Sequence, residues 1–350
     1  MLNANCPVTM RNTLCTDTFD RPLRDLRISV TDRCGYRCSY CMPLDVYAWM
    51  DQKELLTFEE IIRLAGLFIR LGVDRIRLTG GEPLLRSGLD KLVGGLAELE
   101  GLADLSLTTN GFLLRQQVAA LAAAGLKRVN ISVDTLDPVR YQRITRRDGL
   151  ARVLDGISAA RELGLHPIKL NAVILRGIND IDILPLAGFA RAHDIIVRFI
   201  EYMDAGNTNR WCSAQLVSKA EMLQSINSRF PVRELGRQGK RSPSVDYTFA
   251  DGQGAVGVIA SVTEPFCSNC TRARLTADGK LVNCLFSDRA HDLKVLVRNG
   301  TTDEEIIESI RQEWSRRTDR YSEERLSAIN SPAGYSVKGR AKLEMIHLGG

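Results

Sequence analysis

Between residues 25 and about 205 the chain alternates short β-branched, apolar runs with longer amphipathic stretches. The runs LRISVT (26–31), DRIRLTG (74–80), LSLTTN (105–110), RVNISVD (128–134), IKLNAVI (168–174) and IVRFIEYM (196–203) predict strands, because branched side chains suit a pleated, buried surface. The segments 57–71, 88–99, 112–124, 148–164 and 183–193 predict helices. Thr57 followed by Glu60 supplies a capping box, and Gly72, Gly125 and Gly164 stand where helix C-caps are expected. A repeated strand–helix unit gives a mostly parallel sheet, either a curved, incomplete barrel or a doubly wound sheet. In both, the functional edge is the C-terminal end of the strands. That edge singles out Cys34, Gly80, Asn110, Asp134 and Met203.

After residue 205 the pattern changes. VDYTFADG, AVGVIASV and ARLTADGKLVNCLF read as short strands, with turn signals at Asp251-Gly252 and Asp278-Gly279. A charged helix is predicted near 302–317, and the last twenty residues show no clear period. The first part is therefore α/β and the second α+β.

Composition narrows the class. Of 350 residues, 44% are hydrophobic and 25% charged, as in a soluble globular protein. No apolar run is long enough to span a membrane and no signal-peptide layout is present, which predicts a cytoplasmic protein. A net charge of +5 is too mild to argue for nucleic acid or a membrane surface as partner. The nine cysteines are an odd count with six of them clustered, which favours metal ligation over a disulfide framework. Cys6, Cys15 and Cys212 have no ligand spacing and read as structural or incidental. His166, His193, His291 and His347 are scattered, and surface or packing use outweighs catalysis for each.

The first cluster is Cys34-x3-Cys38-x2-Cys41. Soft thiolates at this spacing suit zinc or an iron–sulfur centre, and no histidine lies near in sequence to close a zinc site. The second is Cys267-x2-Cys270-x13-Cys284, which offers three thiolates again; a zinc closed by His291 competes with a cluster. Between these cysteines lies TRARL, whose Arg272 and Arg274 share one strand face and suit a phosphate-rich ligand. The segment TGGEP (79–83) follows a strand; its glycines allow close backbone approach, and Glu82 can accept from an ammonium group.

The first motif, with Tyr40 before its last cysteine, resembles the radical S-adenosylmethionine superfamily. The resemblance implies an incomplete (βα)6 TIM-like barrel in which Cys34, Cys38 and Cys41 hold three irons of a 4Fe–4S cluster. The fourth iron is then the seat of S-adenosylmethionine, the source of a 5′-deoxyadenosyl radical. From about residue 22 onward the chain is similar to the GTP 3′,8-cyclase family of molybdenum-cofactor biosynthesis. The stretches that carry this are LRDLRISVTDRCGYRCSYCMP, RIRLTGGEPLLR, LTTNG, NISVDTLD, IKLNAVILRGIND, RFIEYMD, CSNCTRARLTADGKLVNCLF and the final Gly349-Gly350.

This second resemblance implies an N-terminal extension over 1–21, a radical enzyme domain over 22–205 and a second-cluster, substrate-binding region over 206–350. It implies a second 4Fe–4S cluster on Cys267, Cys270 and Cys284. S-adenosylmethionine would be bound by Tyr40, Gly81, Glu82, Ser132 and Met203. GTP would be bound by Arg27, Arg77, Thr108, Lys169 and the Arg272–Ala273–Arg274 segment. Arg272, Arg274 and the Gly349-Gly350 tail would act in catalysis. The implied lyase reaction is radical cyclisation of GTP to 3′,8-cyclo-7,8-dihydro-GTP. It would be fed by an external electron donor and followed by cyclic pyranopterin monophosphate synthase, and a homodimer is compatible with it. Two rivals remain: a peptide-modifying radical enzyme with an auxiliary cluster, and a non-enzymatic iron–sulfur sensor or zinc module.

Overall fold

The strands form where the apolar runs place them. In a computed structural model that describes residues 14–42, 45–209, 211–239, 241–331, 335 and 342–349, these are β1 (Asp25–Ser29), β2 (Arg75–Thr79), β3 (Asp104–Thr109), β4 (Arg128–Ser132), β5 (Lys169–Ile174) and β6 (Ile196–Glu201). The helices between them are α1 (Phe58–Arg70), α2 (Leu89–Ala97), α3 (Leu114–Ala123), α4 (Pro138–Thr145), α5 (Leu150–Glu162) and α6 (Ile183–His193). The Thr57–Glu60 capping box opens α1 in both directions. Gly72, Gly125 and Gly164 follow α1, α3 and α5 with positive φ, a conformation that only glycine adopts without strain. Helix α4 is not among the sequence expectations. Pro138 stands at its first position, and the Asp137 side chain accepts from Arg140 N, which is sufficient local cause.

The C-terminal region adds α7 (Lys219–Asn227), β7 (Val232–Gly236), β8 (Val245–Phe249), β9 (Ala255–Ile259), β10 (Arg272–Leu275), β11 (Lys280–Val282), β12 (His291–Asp292), α8 (Leu293–Arg298), α9 (Asp303–Ser315), α10 (Tyr321–Ile329) and α11 (Met345–Leu348). Among the described residues all strands join one sheet, in the order β12-β11-β10-β1-β2-β3-β4-β5-β6-β9-β8-β7. Strand β10 lies parallel to β1 and β9 lies parallel to β6. The six expected parallel strands are thus flanked by one more on each side, and the outer hairpins are antiparallel. Among the described residues no helix is long and apolar enough to cross a membrane.

Alternation along the central strands sorts the two faces. Ile28, Leu78, Leu107, Ile131, Leu170, Val197 and Leu275 are buried in the main apolar core, together with Ile61, Leu64 and Phe68 of α1. Each such side chain contributes roughly 1.5–3 kcal/mol by leaving water. The intervening positions, among them Arg27, Arg77, Ser106, Lys169, Arg198 and Arg274, line a cavity on the other face.

Candidate active site

That cavity has a volume of about 720 Å³. Strand register fixes its cationic wall. Arg27 of β1 stands opposite Arg274 of β10 and Arg77 of β2, so three guanidiniums form one row. Burial, then the Arg274 and Arg77 charges, pushes Arg27 well below its ordinary value. Burial, then Arg128 and Arg198, pushes Arg77 down to about 9. Burial and Arg272 push Arg274 down to about 10, and burial with Arg198 and Arg128 pushes Lys169 down to about 7. Cations outnumber the carboxylates Asp25 and Asp104 along this wall, so a polyanion entering it would improve the charge balance. Buried polar atoms of Thr108, Asn171, Arg198 and Asn283, all residues of the cavity lining, lack a partner among the described residues. Such groups are ordinarily matched by a ligand or water.

Cys34, Cys38 and Cys41 lie on the loop after β1, at the C-terminal edge of the sheet, and all three line the cavity. The loop turns tightly, with the Cys41 and Met42 amides donating to the Cys38 carbonyl at 3.0 and 2.8 Å. Burial pushes the Cys34 thiol up to about 11, with the Glu82 charge adding to it. For Cys41 burial and the Cys34 charge give about 12. Burial, Asp134 and the other two sulfurs push Cys38 well above its ordinary range. Three thiols that burial holds protonated fit a cationic metal centre that would take their protons' place.

The Gly80-Gly81 pair serves the cysteine loop itself. A Cβ on Gly81 would lie 2.3 Å from the Arg33 carbonyl oxygen, and one on Gly80 would lie 2.4 Å from that of Thr31. The Gly81 and Glu82 amides donate to those same carbonyls at 2.8 and 2.7 Å. The close approach read from the sequence is therefore between two backbone segments. Glu82 Oε1 accepts from Leu84 N at 3.0 Å and Thr109 Oγ1 at 2.7 Å, while Oε2 accepts from Asn110 N at 2.7 Å. Glu82 also lines the cavity. Burial pushes the Glu82 carboxyl up to about 7 despite these donors. Tyr40 donates to Asp134 Oδ2 at 2.7 Å, and Asp134 Oδ1 accepts from Val173 N at 2.8 Å. This tethers the cysteine loop to β5. Ser132 and Met203 also line the cavity.

Cys267 and Cys270 precede β10, and Cys284 follows the antiparallel β11. All three line the same cavity, but from the N-terminal edge of the parallel strands. The two cysteine sets therefore face each other across the arginine row. Burial opposes ionisation of Cys270, but Arg272 and Arg317 outweigh it and pull the thiol down to about 6. Burial and Asp319 push Cys284 up to about 12. Nε2 of His291 is 2.7 Å from Ser309 Oγ, so that ring is engaged on the far side of β11. Among the described residues no three cysteine, histidine or carboxylate side chains converge on one ion-sized point.

Arg272 stacks its guanidinium 5.1 Å over the Phe266 ring. Ala273 packs into the apolar core, so any ligand contact it makes is through its backbone. Met345 and Ile346 reach the cavity, and Gly349 meets Arg274 there; Gly350, like Cys6, lies outside the described residues. Sequence reasoning missed Asn171 and Arg198, neighbours in register on β5 and β6. Their alternation with buried apolar residues was the available signal. It also missed Asp204 and Arg317, whose partners are distant in the chain, and the Asp17–Arg21 pair, whose i,i+4 spacing was a local signal.

Residues 28–190 match the family model described as Radical SAM superfamily, and residues 195–323 match the one described as Molybdenum Cofactor Synthesis C. The chain is similar to the GTP 3′,8-cyclase of Acidothermus cellulolyticus, at 48% identity over 95% of this chain and 98% of that one. It is similar to that of Staphylococcus saprophyticus at 42% identity over 96% and 98%. Its fold is similar to that of Streptococcus suis SuiB bound to S-adenosylmethionine, with a TM-score of 0.59 and 16% identity over 83% of this chain and 68% of that one.

Proposed function

The chain belongs to the GTP 3′,8-cyclase family of radical S-adenosylmethionine enzymes, and on that premise we propose that its cavity holds GTP between two iron–sulfur clusters. The reaction is conversion of GTP to (8S)-3′,8-cyclo-7,8-dihydroguanosine 5′-triphosphate, the first step of molybdenum-cofactor biosynthesis. One observation carries the two-cluster reading: both cysteine sets and the arginine row line one cavity of about 720 Å³.

When bound, the first cluster and S-adenosylmethionine would supply the radical chemistry that the cyclisation of GTP requires. This chain's residues bind and orient. Cys34, Cys38 and Cys41 hold the first cluster; Tyr40, Gly81, Glu82, Ser132 and Met203 hold the methionyl and adenosyl parts of the cofactor. Cys267, Cys270 and Cys284 would hold the second cluster, which would supply a binding point for the guanine. Arg27, Arg77, Lys169, Arg272 and Arg274 neutralise the triphosphate by charge-assisted hydrogen bonds, and Thr108 with the Ala273 backbone completes the pocket. Gly349 and Gly350 help to set the nucleotide's position.

The sheet is read as an incomplete barrel. Eight parallel strands about 4.8 Å apart would span roughly 35 Å if flat. Residues from all eight line the one cavity, which a curved sheet accommodates. Residues 22–205 and 206–350 are read as the radical domain and the second-cluster region. An external one-electron donor supplies the first cluster, and the product passes to cyclic pyranopterin monophosphate synthase.

The test is anaerobic reconstitution with dithionite, S-adenosylmethionine and GTP, with products identified by mass spectrometry. Full protein holds about eight irons per chain. Cys34→Ala abolishes cofactor cleavage, while Cys284→Ala retains slow cleavage without cyclised product. A single cluster in the wild-type protein, or zinc in the second site, rejects the two-cluster reading.

A further inference from the structure

Behind the second cysteine set lies a buried charge cluster that the assigned chemistry does not use. Asp17, Arg21 and Arg317 have side chains 0%, 2% and 1% exposed. Asp17 Oδ2 lies 2.6 Å from Arg21 Nε and 3.5 Å from Arg317 Nη1, so one carboxylate serves two guanidiniums. Arg317 Nη2 donates to Cys270 Sγ at 3.3 Å, and its Nη1 donates to the Cys270 carbonyl at 2.9 Å. Arg21 Nη1 donates to the Cys267 carbonyl at 2.8 Å. Two of the three cysteines are thus gripped by one triad.

The triad is itself held rigidly. Thr18 Oγ1 donates to the Arg317 carbonyl at 2.7 Å, and Trp314 Nε1 donates to the Arg21 carbonyl at 3.1 Å. The Arg317 guanidinium sits 4.7 Å over the Trp314 ring. Asp319 lies 3.5 Å from Arg317 Nε, as far as Asp17 Oδ2 lies from Nη1, but its side chain is one-third exposed and its charge is screened by solvent. Two buried cations against one buried anion leave a positive charge that is costly without a further counter-ion. The sulfur to which Arg317 donates is where that counter-ion sits. Arg317 differs from Arg274, whose Nη1 donates to the Leu348 and Gly349 carbonyls, in that its own donors meet Cys270.

We propose that Arg317 is a positioning residue for the second iron–sulfur centre. It fixes the Cys270 thiolate by a guanidinium hydrogen bond and favours the centre's reduced state, with Asp17 and Arg21 locking it in place. This rests on the reading of Cys267, Cys270 and Cys284 as cluster ligands. Reduction adds negative charge to a cluster, so a cationic donor at a ligand sulfur raises its potential. Loss of that donor therefore lowers it.

The experiment compares reconstituted full-length wild type, Arg317→Gln and Arg317→Lys by iron and sulfide content, thermal melting and EPR-monitored potentiometric titration. The second centre's signal is identified as the one missing in Cys284→Ala. The expected result for Arg317→Gln is wild-type melting and a second-centre one-electron equilibrium shifted about tenfold toward the oxidised form, about 59 mV lower. The first centre is unchanged, and Arg317→Lys recovers part of the shift. Selective loss of iron from the second site at unchanged melting also supports the positioning role. An unchanged second-centre potential at full iron content overturns it, as does loss of iron from both sites with collapsed melting in both variants. A wild type with about four irons fails the two-cluster reading instead, and is told apart by the count alone.

Discussion

Arg274 Nη1 donates to the Gly349 carbonyl oxygen at 2.7 Å and to that of Leu348 at 3.1 Å. A guanidinium in the row that faces the substrate cavity is thereby engaged by the chain's own C-terminal tail. The tail fits tightly. Gly349 has φ +68, and a Cβ there would lie 2.5 Å from Thr79 Cγ2 and 3.0 Å from Gly80 N. Gly349→Ala therefore meets both a left-handed backbone and a clash, worth about 1–3 kcal/mol of strain. Product formation should fall roughly tenfold or more, at about 1.4 kcal/mol per decade, with iron content and melting unchanged. A chain ending at Leu348 should behave alike. Normal turnover by either would show the tail to be a bystander, and loss of iron along with activity would show it to be structural.

The arginine row makes a second expectation. Replacing Arg272 or Arg274 with Ala should weaken GTP binding by about 1.5–3 kcal/mol each, the range for a hydrogen bond to a charged group. Affinity for S-adenosylmethionine should change little. Arg274→Ala also frees the tail, so it should lower turnover beyond its effect on GTP affinity. Equal GTP affinity in the wild type and the double variant, measured by calorimetry, would reject the assignment.

The first half of the site was legible because its strands alternate so regularly. In Arg27-Ile28 and Arg77-Leu78 the apolar partner goes to the helices and the arginine to the cavity. Spacing alone pointed only to Arg272 and Arg274 as phosphate ligands; Arg27 and Arg77 were reached through the family resemblance, and the alternation explains why they share that face. The signals Asp251-Gly252 and Asp278-Gly279 announced hairpins, but local turn chemistry says nothing about which distant edge a hairpin joins. That β10 lies against β1, bringing Arg274 beside Arg27, is a long-range pairing. Arg317 and Asp17 carried no signature for the same reason: exactness of fit between residues 300 apart is written in no local period.

Lys169 gives a pH signature. Its ammonium is pushed down to about 7 by burial and by Arg198 and Arg128, so above that pH the free protein carries it neutral. A triphosphate beside it favours the charged form and raises its pKa, so binding above pH about 7 takes up a proton. Titrations in buffers of different ionisation enthalpy should show little uptake near pH 6 and up to about one proton per GTP near pH 8.5. Lys169→Met should lose the uptake. Proton release, or uptake that survives in that variant, would place the titrating group elsewhere.

The tail's hold on the body of the enzyme centres on Asp204, the residue after Met203 and fully buried. It accepts from Arg325 Nη1 and Tyr335 OH, from Tyr321 OH at 2.5 Å and from Lys342 Nζ at 2.6 Å. The same loop grips the tail again, with Lys342 N donating to Asn207 Oδ1 at 3.0 Å and Asn207 Nδ2 donating to Glu344 Oε1 at 3.0 Å. Burial opposes the Asp204 charge, but Arg325, Lys342 and the two tyrosines outweigh it and hold the carboxyl below its ordinary range. Its stabilising effect is accordingly present above the unfolded value near pH 4 and is lost only as the pH falls through the lower folded value. Asp204→Asn removes the one anion between two buried cations and should destabilise by about 3–5 kcal/mol. Because one loop carries both Met203, proposed to contact the cofactor, and the tail's anchor, the variant should release the tail to trypsin at Lys342. It should also raise the ratio of cleaved cofactor to cyclised GTP. A variant with lowered melting but a protected tail and an unchanged ratio would confine Asp204 to stability alone.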